Sequence, residues 1–260
     1  MIREKGKNVE IHPGGDGNGM LYLVSDIHGN LKDFQELLCK IDFSGDRDHM
    51  IILGDLLDRE PDGIPLLKYI APYIRDGSMQ LLMGNHELFA QMYLKSELSE
   101  RKWIAFGGRE TLQDIQKLST DERADLLEFL ENLPYYQEIN SDYLGRVLVT
   151  HTGIDCDHYV WKPDGTINVK QSIERAVACN RYRYMIGMDL HQIPEAEKKK
   201  LDTYMIVGHV PVFRLNETMT NTFYRTRYYM DIDSGSGFRE QGGVLGCYCV
   251  TTDEEIYVRS

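Results

Sequence analysis

Three short polar clusters, evenly spaced along the first third of the chain, constrain the fold more than any other feature of the sequence. Asp26-Ile-His28, Gly54-Asp55 and Gly84-Asn85-His86-Glu87 each follow a short apolar run. From Asp26 to Asp55 is 29 positions and from Asp55 to Asn85 is 30, about the length of one strand–helix–strand unit. Because parallel strands end at the same edge of a sheet, we expect the three clusters to meet there.

The apolar pattern between the clusters alternates between strand and helix. Strands are predicted at 21–24, 50–53 and 79–83, with helices at 31–41 and 64–74 between them. This order predicts a largely parallel sheet. After residue 134 the pattern predicts strands at 135–139, 147–150, 204–207, 228–232, 244–251 and 255–258, and a helix at about 169–178. We therefore expect an α/β protein with a second, more antiparallel sheet in its C-terminal half.

The N-terminal residues differ in composition from the rest of the chain. Residues 1–19 are polar and rich in glycine, which predicts a flexible N-terminal arm. The remaining residues 20–260 contain no repeat or clear linker, and their number suits one α/β domain. We expect a single domain after the arm.

Charge and cysteine usage narrow the classes of partner. The formal net charge is −12, from 29 Lys and Arg against 41 Asp and Glu, which argues against a nucleic-acid-binding protein. Basic and aromatic residues alternate at 181–184 and 223–229; we interpret them as amphipathic faces, with RNA binding as the alternative. The apolar runs are too short to span a membrane, and five scattered cysteines fit a reducing compartment. We expect a cytoplasmic protein.

Two further clusters each place a histidine after a predicted strand in the C-terminal half. The six candidate metal ligands are Asp26, His28, Asp55, Asn85, His151 and His209. Imidazole, carboxylate and amide oxygen suit manganese, iron, zinc or nickel. Six groups exceed what one ion with an open position needs, so we expect two divalent ions, with Asp55 as the shared ligand. Such a pair of ions stabilises phosphoryl transfer.

The ordered motifs DxH, GDxxDR, GNHE, a histidine after a strand, and GHxP resemble those of the calcineurin-like metallophosphoesterases. Within that family they are most similar to the phosphoprotein phosphatase branch, especially the short bacterial and bacteriophage serine/threonine protein phosphatases. The resemblance runs from about residue 21 to about residue 258, and the stretches 103–112 and 180–183 strengthen it. It implies two facing mixed β-sheets flanked by helices.

The resemblance also implies a role for each motif residue. Asp26, His28 and Asp55 would hold one metal, and Asp55, Asn85, His151 and His209 the other, with manganese expected first. A metal-bridging hydroxide would attack phosphorus directly, without a phosphoenzyme. His86 would protonate the leaving alkoxide, with Asp58 orienting it. Arg59 and Arg181 would bind the phosphate oxygens.

Two positions bear on the branch of the family. Pro211 stands where many metallophosphoesterases have a second histidine in GHxH, which favours the protein-phosphatase branch over nucleases and nucleotidases. That branch usually has glycine after its DR pair, whereas this chain has Glu60 and Pro61. An acidic side chain beside Arg59 is expected to restrict the loop or repel an acidic substrate.

Three functions remain open at this stage. The first is a metal-dependent phosphomonoesterase, in particular a serine/threonine protein phosphatase acting on a phosphorylated protein or a small phosphoester. The alternative is a symmetrical dinucleoside tetraphosphate hydrolase, which Glu60 and the aromatic residues at 181–184 keep open. A non-catalytic scaffold is the third, and the complete ligand set argues against it. The histidines outside the motifs are interpreted as surface or structural, although His158 lies close enough to His151 in sequence to contact substrate.

Overall fold

Two five-stranded β-sheets face each other, and helices cover their outer surfaces. The computed structural model describes residues 19–216 and 220–259. The predicted N-terminal arm therefore lies outside the described residues, apart from residue 19. The predicted α/β architecture of two facing mixed sheets is confirmed.

The first sheet contains the three strands that precede the polar clusters. Its strands are β1 (Leu21–Val24), β2 (His49–Ile52), β3 (Met79–Leu81), β9 (Leu245–Cys249) and β10 (Glu254–Val258). Their order is β10-β9-β1-β2-β3, with β1, β2 and β3 parallel as predicted. The parallel register places the three carboxyl ends, and hence the three clusters, at one edge.

The second sheet is mixed rather than mainly antiparallel. Its strands are β4 (Tyr136–Ser141), β5 (Gly145–Thr150), β6 (Tyr204–Val207), β7 (Tyr224–Arg225) and β8 (Tyr229–Asp231), in the order β4-β5-β6-β8-β7. The central strands β5, β6 and β8 are parallel, and only the outer pairs are antiparallel. The two-residue strand β7 was not predicted, since it is too short to show an apolar pattern.

The C-terminal strands belong to the first sheet, and this corrects the sequence prediction. Strand β9 pairs antiparallel with β1, where Tyr22 lies opposite Cys249 and Val24 opposite Cys247. All five residues of β9 are buried, which suits an inner position between β1 and β10. The apolar pattern predicted the strands correctly but carries no information about their partners.

Helices surround the sandwich. They are α1 (Leu31–Lys40), α2 (Gly63–Asp76), α3 (Asn85–Leu94), α4 (Glu100–Ala105), α5 (Arg109–Lys117), α6 (Thr120–Glu131), α7 (Val169–Met185), α8 (Asp189–Gln192) and α9 (Glu195–Lys198). Helix α7 is longer than predicted and has a kink at Asn180, where φ is −157°. The kink lets the chain continue as a second helical turn that carries Arg181.

The alternation of side chains along each strand builds two layers of core. Leu21 and Leu23 point between the sheets, where they join Val147 and Val149 of β5. The alternate residues Tyr22 and Val24 point outward and pack with apolar residues of the helices. Because neighbouring residues of a strand face opposite sides, a strand buried on both faces reads as a continuous apolar run.

Candidate metal centre

The loops after β1, β2 and β3 meet in direct backbone contact. The His28 N–H donates to the Asp55 carbonyl oxygen (2.9 Å), and the Asp26 N–H donates to the Gly54 carbonyl oxygen (3.2 Å). Gly54 has a φ of +96°, and a Cβ there would lie 2.6 Å from the Gly84 backbone. A side chain at position 54 would therefore push the second and third clusters apart.

Backbone strain is concentrated in these clusters. Nine described residues other than glycine have positive φ, and six of them are predicted site residues: Asp26, His28, Asp55, Asp58, Arg59 and His209. Such conformations cost about 1–3 kcal/mol each and persist where the surrounding structure enforces them. These backbone conformations direct side chains that are close in sequence toward the same cluster, whereas a regular strand would place alternate side chains on opposite faces.

Asp55 lies at the centre of the cluster, and its two oxygens face different partners. Its Oδ2 lies 3.7 Å from Nε2 of His28 and 3.8 Å from Nε2 of His86. Its Oδ1 lies 3.3 Å from Nε2 of His151. Burial opposes ionisation of Asp55, but the neighbouring His151 and His86 hold its pKa well below the usual range. The side chain is thus placed to be shared between two cations.

On one side of Asp55 lie Asp26 and His28, both buried. Asp26 Oδ1 is 3.8 Å from His28 Nε2, while its Oδ2 accepts hydrogen bonds from the Ser25 hydroxyl and from the His209 N–H (3.0 Å). Burial raises the pKa of Asp26 to about 6. His28 Nδ1 donates to the Leu57 carbonyl oxygen (2.9 Å), and burial holds its pKa well below the usual range. This bond makes Nε2 the unprotonated nitrogen of a neutral imidazole, and that nitrogen accepts a hydrogen bond from Arg59 (3.1 Å), which a cation bound to His28 would replace.

On the other side of Asp55 lie Asn85, His151 and His209. The Asn85 amide oxygen is 2.9 Å from His151 Nε2 and 2.8 Å from His209 Nδ1. His151 also donates through Nδ1 to the Leu53 carbonyl oxygen (2.8 Å). Burial would lower the pKa of His151, yet the Asp55 carboxylate raises it to about 10. Burial, followed by the charge of His151, lowers the pKa of His209 to about 3.

Glu87 organises the loop that carries Asp55, a role that the sequence analysis did not assign. Its carboxylate is fully buried and accepts four backbone N–H groups at 2.7–3.1 Å, those of Gly84, Asp55, Leu56 and Leu57. Burial, with Asp55 adding to it, raises the pKa of Glu87 to about 7, while the N–H donors favour the carboxylate. Its position in GNHE was visible in the sequence, but its backbone partners were not.

His86 and Asp58 form the hydrogen-bonded pair that the resemblance predicted. His86 Nδ1 lies 2.7 Å from Asp58 Oδ2, and both side chains are buried. Burial lowers the pKa of His86, but Asp55 and Asp58 outweigh it and raise the pKa. The buried Trp103 donates through Nε1 to the same Asp58 oxygen (2.7 Å), so this tryptophan holds the carboxylate in place. A Cβ on Gly108 would lie 2.2 Å from Trp103 Nε1, which explains the glycine.

The two predicted phosphate-binding arginines occupy different positions. Arg59 Nε donates to His28 Nε2 (3.1 Å), so its guanidinium lies against the cluster. The Glu60 N–H donates to the His28 carbonyl oxygen (3.2 Å), which holds the loop after Arg59 against the first cluster. Arg181 is half-exposed, and its guanidinium lies 4.0 Å from Glu97. The structure gives no contact between Arg181 and the cluster.

Other candidate groups lie elsewhere. His158 lies 3.1 Å from Asp155, in a short turn beyond β5. Asp155, Cys156 and Asp189 also lie close together, but Asp189 accepts two hydrogen bonds from Arg183 at 3.0 Å. Within the described ranges, no helix has the length and apolar character of a membrane span.

The donor set of the cluster fits divalent cations. Two overlapping groups, His28–Asp55–His86 and Asp55–His151–His209, each offer ligand atoms within 4.8 Å of one another. These carboxylates and imidazoles, all buried except the half-buried His209, together with the Asn85 oxygen match manganese, iron, zinc or nickel. Without cations, so many buried polar groups would be costly. Two mixed sheets with this cluster at their strand ends define a metallophosphoesterase.

The family assignment follows from comparison with known proteins. The family model for calcineurin-like phosphoesterases matches residues 20–236. The chain belongs to this family, whose members use divalent metals, and the predicted resemblance at that level is confirmed.

Two curated relatives of this chain carry the same description. The symmetrical bis(5′-nucleosyl)-tetraphosphatase of Hamiltonella defensa is 26% identical over 180 residues, which cover 69% of this chain and 60% of that protein. The protein of the same description from an Acidovorax species is 34% identical over 136 residues, which cover 52% of this chain and 44% of that protein. The chain therefore spans only part of the length of these relatives.

Solved structures show the same fold. A serine/threonine protein phosphatase from Saccharomyces cerevisiae superimposes with a TM-score of 0.58 at 19% identity, covering 91% of this chain and 74% of that one. A cold-active protein tyrosine phosphatase of a psychrophilic Shewanella species gives a TM-score of 0.51 at 18% identity, covering 94% and 81%. At these identities the similarity concerns the fold.

Proposed function

We propose that this protein hydrolyses phosphoester bonds at the Asp55-centred cluster with the help of two divalent cations. The observation that carries the proposal is that candidate ligands from five separated stretches gather around the buried Asp55 carboxylate, whose two oxygens lie near His28 and His151 on opposite sides. One cation would be held by Asp26, His28 and Asp55, and the other by Asp55, Asn85, His151 and His209. Manganese is the ion we expect first, with iron, zinc or nickel as alternatives.

The cations would supply charge stabilisation at phosphorus and lower the pKa of a bound water to about 7. The protein's own contribution begins with His86, which is held by Asp58 with Nε2 directed toward Asp55. The raised pKa of His86 favours the protonated imidazole, which is the form that can give a proton to a leaving oxygen. Arg59, whose guanidinium lies against the cluster, would bind the non-reacting phosphate oxygens as a planar fork. The same role for Arg181 stays a prediction from the resemblance, since this side chain lies beside Glu97.

The curated relatives favour a dinucleoside tetraphosphate as substrate. Both relatives described above are symmetrical tetraphosphatases, which corresponds to the alternative reading of the sequence. Symmetrical cleavage of such a substrate yields two nucleoside diphosphates, whose phosphate oxygen leaves readily.

A phosphorylated protein is the second candidate, and the His86–Asp58 pair favours it. A serine or threonine alkoxide is a poor leaving group and needs a proton in the transition state, which a buried, protonated imidazole supplies. A small phosphomonoester would be hydrolysed in the same way.

Purified protein assayed with Mn²⁺ and p-nitrophenyl phosphate tests the catalytic proposal. Asp55→Asn should abolish hydrolysis, because it removes the shared charged ligand. The exposed Asp46→Asn is the matched control and should retain wild-type activity. Hydrolysis by the Asp55 variant at the wild-type rate would refute the proposal.

A substrate panel then separates the two candidates. The same preparation is given a diadenosine tetraphosphate and a phosphothreonine peptide at equal concentrations. We expect the higher kcat/KM for the tetraphosphate, with a nucleoside diphosphate as the only nucleotide product. Exclusive turnover of the peptide would make the protein-phosphatase reading the correct one.

We also propose a cytoplasmic location, which the cysteines support. All five are free thiols, two of them buried on β9, which supports a reducing, cytoplasmic environment.

A further inference from the structure

Beside the metal centre, an aromatic side chain holds two arginines. The Arg59 guanidinium lies 4.3 Å from the centre of the Phe238 ring, and the Arg214 guanidinium lies 4.9 Å from the same ring. Phe213 packs edge-on against Phe238, with ring centres 5.8 Å apart, and lies 5.7 Å from Arg214. We call Arg59, Arg214, Phe213 and Phe238 the arginine platform.

The fold ties the arginine platform to the metal centre. A Cβ on Gly237 would lie 2.5 Å from Arg59 and 2.6 Å from His28, so the backbone before Phe238 lies directly against both side chains. Arg214 belongs to the short 3₁₀ turn Val212–Arg214, which follows His209 by only a few residues. The platform is therefore assembled from three segments: the loop after β2 that carries Asp55 and Arg59, the turn after His209, and the segment that carries Gly237 and Phe238.

Among the described residues, neither platform arginine pairs with an acidic side chain, in contrast to four arginines that form close ion pairs. Arg47, Arg183, Arg225 and Arg239 each pair with a carboxylate at 3.0 Å or less. Within residues 19–216 and 220–259, neither Arg59 nor Arg214 has a carboxylate oxygen within 4.0 Å. In a chain with a net charge of −12, two cations stacked on an aromatic ring at the metal centre form a site for an anion.

From this arrangement we propose that Arg214 binds a phosphate group of the substrate other than the one being hydrolysed. Arg59 donates a hydrogen bond to His28 and so lies where the reacting phosphate would bind, whereas Arg214 contacts the same Phe238 ring and has no contact with His28. A chain of linked phosphates would reach both guanidinium groups, each of which binds phosphate oxygens as a bidentate fork. The inference rests on the proposed function and specifies its substrate as a nucleotide that carries a polyphosphate chain.

A phosphopeptide is the competing occupant. It carries a single phosphate, and its other contacts with Arg214 would come from acidic side chains, which form weaker and more exposed pairs. The loss of affinity on replacing Arg214, measured for a tetraphosphate and for a phosphopeptide, therefore distinguishes the two occupants.

Steady-state kinetics of Arg214→Ala and Arg214→Lys provide the test. In Arg214→Ala, we expect the fold-increase in KM for diadenosine tetraphosphate to be at least ten times the fold-increase for p-nitrophenyl phosphate. Arg214→Lys should show an intermediate increase, because lysine keeps the charge but lacks the planar, bidentate guanidinium. Arg227→Ala is the matched control, since Arg227 is exposed and precedes β8, whereas the segment that carries Phe238 follows the other end of that strand. An equal rise in KM for both substrates, no rise for either, or a rise confined to a phosphothreonine peptide would overturn the inference.

A binding measurement separates this inference from the proposed function. Calorimetric titration of Asp55→Asn protein with inorganic tripolyphosphate and with orthophosphate requires no turnover. We expect tripolyphosphate to bind more tightly, and the added Arg214→Ala substitution to weaken its binding about tenfold while changing orthophosphate less. Equal effects on both anions would refute the polyphosphate subsite even if the protein hydrolyses phosphoesters. Absence of hydrolysis with selective tripolyphosphate binding would refute only the catalytic proposal.

Discussion

Replacing Glu87 with glutamine tests whether one buried carboxylate holds the loop of the metal centre. In the protein, Oε2 accepts the N–H groups of Asp55 and Gly84, and Oε1 accepts those of Leu56 and Leu57. Glutamine keeps the shape but offers only one acceptor oxygen. Whichever way the amide is turned, two buried N–H groups then face an NH₂ group, which is itself a donor.

The magnitude follows from the two lost hydrogen bonds. A hydrogen bond to a charged group contributes about 1.5–3 kcal/mol, so the loss of two predicts a decrease of about 3–6 kcal/mol in the free energy of unfolding. Burial raises the pKa of Glu87 to about 7, so part of the gain from the N–H donors is offset by the cost of burying the charge. We therefore expect the lower end, about 3 kcal/mol, which corresponds to roughly 6–12 °C in Tm.

Urea unfolding at pH 8, followed by circular dichroism in EDTA, measures this loss without a contribution from metal release. At this pH the Glu87 carboxylate is ionised, and Glu36→Gln, an exposed change on α1, is the control that should stay within about 0.5 kcal/mol of wild type. A destabilisation below about 1 kcal/mol for Glu87→Gln, with unchanged Mn²⁺ affinity, would refute the reasoning.

Three further changes probe the surroundings of the site. Trp103→Phe removes the N–H donated to Asp58 at 2.7 Å and should lower the free energy of unfolding by about 1.5–3 kcal/mol in urea titrations; a neutral result would contradict the role given to this indole. Gly84→Ala would place a carbon 2.2 Å from the Asp55 backbone nitrogen, so Mn²⁺ binding measured by calorimetry should be lost, and retained binding would count against the close packing of the loops. Burial, followed by the charge of Lys198, lowers the pKa of His191 from 6.5 to about 4 in the folded protein. As the pH falls, His191 therefore binds a proton in the unfolded chain at a higher pH than in the folded protein. Stability should therefore decrease between pH 6.5 and pH 4, and His191→Asn should remove about 3 kcal/mol of that decrease; identical pH profiles would contradict this.

The sequence was sufficient to predict the three parallel strands of the first sheet and the convergence of the polar clusters that follow them. The spacing of Asp26, Asp55 and Asn85 corresponds to one strand–helix–strand unit per step, and each such unit returns the chain to the same edge. The Asp58–His86 contact followed from resemblance to a family that has the same motifs. These features depend on local patterns and on spacing, both of which can be read directly from the sequence.

Strand partners and buried hydrogen-bond partners were decided by the tertiary structure alone. The apolar residues of β9 predict a strand equally well in either sheet, and only the packed sandwich places it beside β1. Trp103 lies 45 positions from Asp58 in sequence, and Arg214 lies farther still from Arg59, so no local pattern links these pairs. Periodicity and motifs specify which face of an element is buried, whereas the particular partner on that face depends on the path of the whole chain.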